Sequence, residues 1–359
     1  MTTQEAQLKL NELYEYILNH PRCNQNILAA FGKVARYLPS HKKIVVSISG
    51  GSDSDIMLDM LSRFDPDKQN IYVFFDTGIE YKATHRHLDY LEVKYGIKIE
   101  RVPAEVPVPK GCKKHGQPFW SKHISGMIGR LQKHGFMWED APLDVLLKKY
   151  SNCRGALRWW CNDFERKIDK RGNVKESKFN IGYVTFLKEF MILQPPSFKI
   201  SEKCCNGAKK SLGKLAMKRH KGDLKAVGVR KAEGGIRSSA YKSCFSESTK
   251  HSYDDFRPIF WITNKDKIDY EALFNITHSD CYCVYGLTGT GCAGCPFGKE
   301  FEFELTVIKQ YEPHLYKAVN NIFGDSYDYT RKYIAFRKEM QAKKKLADSP
   351  TGQLQMEGL

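Results

Sequence analysis

Lys43-Ile44-Val45-Val46-Ser47-Ile48-Ser49-Gly50-Gly51-Ser52-Asp53-Ser54 is the stretch on which the fold turns. Ile44, Val45, Val46 and Ile48 are β-branched, the composition of a buried strand. Gly50-Gly51 directly after them reads as a tight turn, and the spacing of Ile56, Leu58, Met60 and Leu61 predicts a packed helix from Asp53 onward. A strand that ends in glycine and opens a helix aims several backbone N–H groups into one concavity, on top of the positive end of a helix dipole, and anions bind there. The glycines let the main chain approach a phosphate with no Cβ in the way, and Ser49, Ser52 and Ser54 add hydroxyl donors. Asp53, placed beside such an anion, reads as a Mg²⁺ ligand.

Working outward, Ile71-Tyr72-Val73-Phe74-Phe75 predicts a second strand that ends on Asp76-Thr77-Gly78. Residues 83–95 are helical in pattern and a third strand is expected near 97–102, so strand and helix alternate as in a parallel sheet. In such a sheet both motifs lie at the carboxyl edge, where open α/β sheets bind ligands. Upstream, residues 4–37 read as one or two helices, with Pro21 between the two apolar stretches. From about residue 103 to 200 the pattern turns irregular and reads as an insertion; Trp159 and Trp160 within it are expected to be packing residues. Alternation returns with a strand over 224–230 and a helix over 266–274, and residues 327–345 form a basic helical pattern before a frayed tail from 348. The expected organisation is N-terminal helices over 1–40, a main domain over 41–310 with its insertion, and a basic helical extension over 311–359.

The bulk numbers bound the class. A chain of 359 residues, 42% hydrophobic, buries a substantial core. No run approaches the roughly 18 apolar residues of a membrane span, and Met1-Thr2-Thr3-Gln4-Glu5 lacks the layout of a signal peptide, so a cytoplasmic protein with no membrane partner is expected. In that compartment each of the eleven cysteines is by default a small buried hydrophobe, and spacing must single out any that do more. The net charge of +16 attracts phosphates, whether on a nucleotide, a nucleic acid or another acidic partner.

Ser49 to Ser54 resembles the Ser-Gly-Gly-x-Asp-Ser signature of PP-loop proteins, the adenine-nucleotide α-hydrolase-like superfamily. With Asp76-Thr77-Gly78 the chain is similar to the phosphoadenosine phosphosulfate (PAPS) reductase family. Gly228-Val229-Arg230 with Glu233 and Arg237 looks like that family's arginine-bearing substrate loop, and Pro258-Ile259-Phe260-Trp261 extends the resemblance over most of residues 27 to 300. It implies a Rossmann-like α/β fold, a parallel sheet flanked by helices. It also implies an adenine-nucleotide site on Ser49, Gly50, Gly51, Ser52, Asp53, Ser54, Asp76, Thr77, Gly78, Gly228 and Arg230. Cys204-Cys205 followed by Cys292-x-x-Cys295 is similar to the ligand arrangement of [4Fe-4S] adenylyl-sulfate (APS) reductases, down to Lys209, which implies a cluster on those four thiols. Two cysteine pairs otherwise suggest zinc in a soluble protein; adjacent cysteines with a distant CxxC in this fold favour iron and sulfur. Cys281 and Cys283 read as the alternation of a strand.

The resemblance has two departures. APS and PAPS reductases carry a nucleophilic cysteine near the carboxyl terminus, whereas no thiol follows Cys295 here. The reductases also commonly alter the phosphate loop, while this one keeps the pattern of the ATP-pyrophosphatase members. Both point to cleavage of ATP between its α and β phosphates with Mg²⁺, adenylating an acceptor for sulfur transfer or nucleic-acid modification as in DNA phosphorothioation. Asp53, Lys209, Arg230 and Arg237 are the expected catalytic residues. A nucleic-acid acceptor suits the run Lys209-Lys210, Lys214 and Lys218-Arg219-His220-Lys221, and a sulfur- or electron-donor protein is an expected partner. One alternative is a true reductase that takes APS or PAPS and releases sulfite; another is a non-catalytic, nucleotide-binding partner subunit.

Overall fold

The computed structural model describes residues 1–234, 240–248, 252–298 and 300–347, the side chains of 209 and 210 excepted. The chain divides into two compact units, residues 1–108, 206–293 and 303–315 in the first and 109–205, 294–302 and 316–359 in the second.

In the first unit six strands form the sheet among the described residues: β1 (Ile44–Ile48), β2 (Ile71–Asp76), β3 (Ile99–Pro103), β4 (Leu224–Val227), β5 (Phe245–Ser246) and β6 (Asp254–Phe256). Their spatial order is β3-β2-β1-β4-β6-β5; every neighbouring pair is parallel except β5 with β6. The register pairs Val46 with Tyr72 on one side and with Ala226 on the other, so β1 is central and carries its first turn into the middle of the carboxyl edge. This is the expected parallel α/β sheet. The third strand starts two residues later than its expected position, and the strand read over 224–230 stops at Val227.

Helices α1 (Thr3–Leu18), α2 (Gln25–Tyr37), α3 (Ser52–Ser62) and α4 (Lys82–Tyr95) join this unit, and each start has a local cause. Thr2 and Glu5 close a capping box on α1, and the Asn24 carbonyl oxygen accepts from the first turn of α2. The apolar faces of α1 and α2 enter one core with β1, β2 and α3, through Leu13, Ile17, Phe31, Val46, Leu58 and Tyr72. The N-terminal helices are thus part of the first unit's core, packed with the strand that leads into the glycine turn.

The second unit holds α5 (Val108–His115) from its second residue, α6 (Lys122–Lys133), α7 (Leu143–Lys149), α8 (Arg154–Trp160) and α9 (Leu187–Leu193). A short antiparallel ribbon joins Lys167–Ile168 to Val174–Lys175. Its core gathers Phe119, Ile128, Leu157, Trp159, Trp160, Phe190 and Tyr333. Trp159 and Trp160 are fully enclosed, as their expected packing role requires, each worth on the order of 3 kcal/mol of apolar burial. The regular structure of the segment with no regular sequence pattern is therefore mainly short helices, of 7 to 12 residues.

Back in the first unit, α10 (Ser211–His220), α11 (Asn264–Phe274), α12 (Asp280–Cys283) and α13 (Phe301–Tyr311) follow, with α13 entering from its third residue. Cys281 and Cys283 lie on α12, a single helical turn, and not on a strand. The last helix, α14 (Pro313–Ala347), runs 35 residues and starts well before the expected 327, with Pro313 as its first residue. Among the described residues no helix is long and apolar enough to cross a membrane.

Candidate functional site

The turn after β1 is shaped by one glycine. Gly50 has φ +66°, and a Cβ there would lie 2.7 Å from Cγ2 of Thr84 on α4, so any side chain is excluded both by conformation and by space. Ser54 then locks the turn: its hydroxyl accepts the Ser49 N–H at 3.2 Å and donates to Gly51 O at 2.9 Å. Gly51 O also accepts from the backbone N–H groups of Ser54 and Asp55, which starts α3. Gly228, just past β4, packs on the loop so tightly that a Cβ would stand 3.1 Å from Asp53 O and from Ser54 Cα. The loop, Ser49 to Ser54 with Gly228 against it, is therefore one close-packed unit.

Three other elements bring side chains to it. From the segment after β4, Arg230 sets Nε 2.8 Å from Asp53 Oδ2, while its Nη1 donates to Asn264 Oδ1 at 2.9 Å and to Ile262 O at 3.4 Å. The Nε–H has no aligned acceptor, which makes the Asp53 contact an ion pair more than a hydrogen bond. From α11, Lys267 Nζ donates to Ser52 Oγ at 2.5 Å and to Asp53 Oδ1 at 3.0 Å. From α12, the Tyr282 hydroxyl accepts the Ser52 N–H at 3.2 Å and lies 3.3 Å from Thr290 Oγ1. Burial pushes the Asp53 carboxyl up, but a hydrogen bond from Arg230, then one with Glu233, then the charges of Lys267 and Arg230 outweigh it and hold the group below the ordinary carboxylate range. Asp53 is thus an ionised residue with a cation on each oxygen. The sequence offers it as a Mg²⁺ ligand; in the fold, protein cations face both of its oxygens.

Behind the loop lies a second set of charges. Asp55 is fully buried, and its Oδ2 sits 3.0 Å from His87 Nε2 and 2.8 Å from His278 Nδ1. His278 Nε2 lies 2.8 Å from Glu271 Oε1, which in turn is 3.9 Å from Lys267 Nζ. Burial alone would lower His278; its hydrogen bonds to Asp55 and Glu271 carry it up to about 9.

At the end of β2, Asp76 Oδ1 accepts the Gly78 N–H at 2.8 Å, and the buried Thr77 hydroxyl donates to Glu80 Oε1 at 2.6 Å. Cys292 Sγ stands 3.4 Å from that same Thr77 hydroxyl. In the second unit Cys204 is buried; its thiol is pushed well above the ordinary thiol range first by a hydrogen bond with Cys112, opposed by one with Cys205, and then by burial and the nearby Cys295. So Cys204 lies beside Cys205, Cys295 and a thiol, Cys112, that spacing does not select, while Cys292 belongs to the first unit beside Thr77. Among the described residues no three His, Cys, Asp or Glu side chains stand ready to hold a single metal ion. The thiols are nevertheless soft donors with no carboxylate among them, the chemistry that suits iron–sulfur more than a hard cation.

Of the other expected residues, Arg237 and the Lys209 side chain lie outside the described residues. Lys267, Tyr282, Thr290, Asp55, His87 and His278 were not singled out by the sequence. The only available signal for Lys267 was a cationic residue on a helix close after the Pro258 to Trp261 block.

Comparison with known proteins bears on the loop. An uncharacterized protein of Methanocaldococcus jannaschii is 32% identical over 122 residues, 33% of this chain and 25% of that protein, so the chain spans about a quarter of the length of the curated relative it matches. Among solved structures, the phosphate complex of a PAPS reductase from Candida auris shares 12% identity at a TM-score of 0.39, covering 79% of this chain and 93% of its own. The U34-tRNA thiolase NcsA from Methanococcus maripaludis, solved with its [4Fe-4S] cluster, shares 16% at 0.36, covering 87% and 80%. Likenesses at that level assign neither a substrate nor a cofactor to this chain. The sequence itself is more specific: residues 43–139, which carry β1, the phosphate loop and Asp76-Thr77-Gly78, match the model of the phosphoadenosine phosphosulfate reductase domain.

Proposed function

We propose that the chain binds ATP on the Ser49 to Ser54 loop and cleaves it between the α and β phosphates. An acceptor oxygen attacks the α phosphorus, pyrophosphate leaves, and a sulfur or nitrogen nucleophile then displaces AMP from the adenylated acceptor. One observation carries this reading: an intact phosphate loop on which two cations, Arg230 and Lys267, converge from separate elements. Backbone N–H groups and those cations supply what a departing pyrophosphate needs, fixed positive charge in a partly buried site. Mg²⁺ would enter chiefly on the nucleotide's own phosphates.

The cysteine spacing extends the proposal to a [4Fe-4S] cluster on Cys204, Cys205, Cys292 and Cys295. Bound there, a cluster supplies iron sites for one-electron chemistry or for a sulfur ligand. Replacing Cys204 by Ser is expected to take oxygen-protected protein from about four irons per chain to almost none. Cys281→Ser, in a thiol buried against Thr84, is the control and should keep its iron. Iron retained by Cys204→Ser would remove that residue from the ligand set.

The proposed acceptor is a nucleic acid. The basic run on α10 supports this only in part, because Arg219 and His220 already pair with Glu100 at 2.6 and 2.7 Å. A filter-binding titration with DNA and tRNA tests it through the salt slope of phosphate contacts.

A second reading, a sulfonucleotide reductase releasing sulfite, draws on the Cys292 thiol beside Thr77 at the sheet edge. It would serve as the nucleophilic thiol of that reaction, and then Cys292 is not a cluster ligand. The decisive assay offers ATP, APS and PAPS to anaerobically purified protein and measures pyrophosphate, AMP and sulfite. Pyrophosphate from ATP supports the first reading and sulfite the second; tight binding without turnover of any of the three rejects both.

A further inference from the structure

Asp53 divides its two oxygens between cations of different freedom. Arg230, buried, is tied at the far side of its guanidinium to Asn264 and to Ile262 O, so it cannot leave without breaking those bonds. Lys267 is held only at its tip, by Ser52, Asp53 and the more distant Glu271. Its four-carbon stem lets the ammonium change partners without moving the helix.

The helix beneath it is firmly placed. Thr263 and Asp266 form a capping box at the start of α11, and Asp266 also accepts from Asn24 at 2.8 Å and Asn26 at 2.9 Å. One turn on, the buried Tyr270 hydroxyl donates to Asp59, which Arg63 grips with two N–H groups. Lys267 is therefore presented to the loop from a fixed base, next to the Ser52 N–H that now faces the Tyr282 hydroxyl.

We infer that Lys267 is the cation that takes hold of the polyphosphate tail, exchanging Asp53 for a phosphate oxygen while Arg230 stays behind and keeps Asp53 neutralised. This rests on the nucleotide-binding reading above and goes beyond it by naming a residue that discriminates a polyphosphate from a monophosphate. An ammonium already bound to a loop hydroxyl and a loop carboxylate needs only a small swing to reach an anion in the same nest, and a charge-assisted bond to phosphate is about twice as strong as a neutral one.

The test is calorimetry with inorganic pyrophosphate, ATP and AMP on the wild-type chain, Lys267→Met, Lys267→Arg and Lys267→Gln. Loss of the charge in Met and Gln is expected to weaken pyrophosphate and ATP by about tenfold or more, to leave AMP within about twofold, and to be largely restored by Arg. The Gln variant keeps a partner for Ser52 and guards against a Met variant that fails to fold. If Lys267 only neutralises Asp53, all three ligands shift together and Asp53→Asn in the Lys267→Met background restores them; that pattern overturns the inference alone, as does unchanged binding in every variant. A wild-type chain that binds none of the three overturns the nucleotide site itself, and the role of Lys267 with it.

Discussion

Arg230→Ala is expected to reduce pyrophosphate release from ATP by about a hundredfold to a thousandfold, the range seen when one preorganised donor to developing charge is removed. The same change should also destabilise the fold, because it strips one cation from a partly buried carboxylate, at a cost below the roughly 3–5 kcal/mol of breaking a fully buried pair. The two effects separate in a double variant. Asp53→Asn removes the stranded charge, so Arg230→Ala with Asp53→Asn should recover much of the denaturant midpoint and none of the turnover. Arg230→Lys should fail as a rescue, since one ammonium cannot reach Asp53 Oδ2, Asn264 Oδ1 and Ile262 O together. Turnover that returns along with stability in the double variant would show that Arg230 is a structural counter-ion only.

That experiment marks a boundary between what the chain discloses locally and what it hides. The β1 turn is legible because its determinants are contiguous: β-branched residues make the strand, and only glycine tolerates the left-handed backbone against Thr84 at position 50. Arg230 could be reached through its block, as a family resemblance. Lys267 could not, since a lysine on a helix is ordinarily a solvated residue, and only the fold brings α11 within 3.0 Å of Asp53. The thiol pair Cys112 and Cys204 is hidden for the same reason, being 92 positions apart in the chain.

Secondary structure failed where segments were short. Asp280 to Cys283 spans four residues, too few for a period of two to be told from one helical turn, and Ser279 before it is a helix N-cap by position. Between residues 109 and 205 the helices are no longer than about three turns, and buried aromatics outside them, such as Phe119 and Trp138, add apolar positions that obscure a helical period. The 35-residue helix was recognised only in its basic second half, where charge made the pattern plain.

Behind the phosphate loop the charges titrate in an accessible range, which gives the second large effect. His278 is ionised with Asp55 on one nitrogen and Glu271 on the other, with His87 sharing Asp55 and Lys267 beyond Glu271. Its folded value of about 9 lies above the unfolded 6.5, so the stabilisation is full below about pH 6.5 and is lost as pH rises through about 9. The interval corresponds to roughly 3 kcal/mol, and about 2 once solvent screening of a group not wholly enclosed is allowed for. Asp55→Asn keeps the shape and removes the charge. Glu271 keeps its share of the shift, so Asp55→Asn should lower stability by about 1 kcal/mol near pH 6, and the gap to wild type should narrow toward pH 10 as His278 becomes neutral in both proteins. Urea midpoints taken across that range measure it directly. A gap that stays constant from pH 6 to 10 would mean that Asp55 holds the two imidazoles by shape and hydrogen bonding, with no ionised His278 behind the loop.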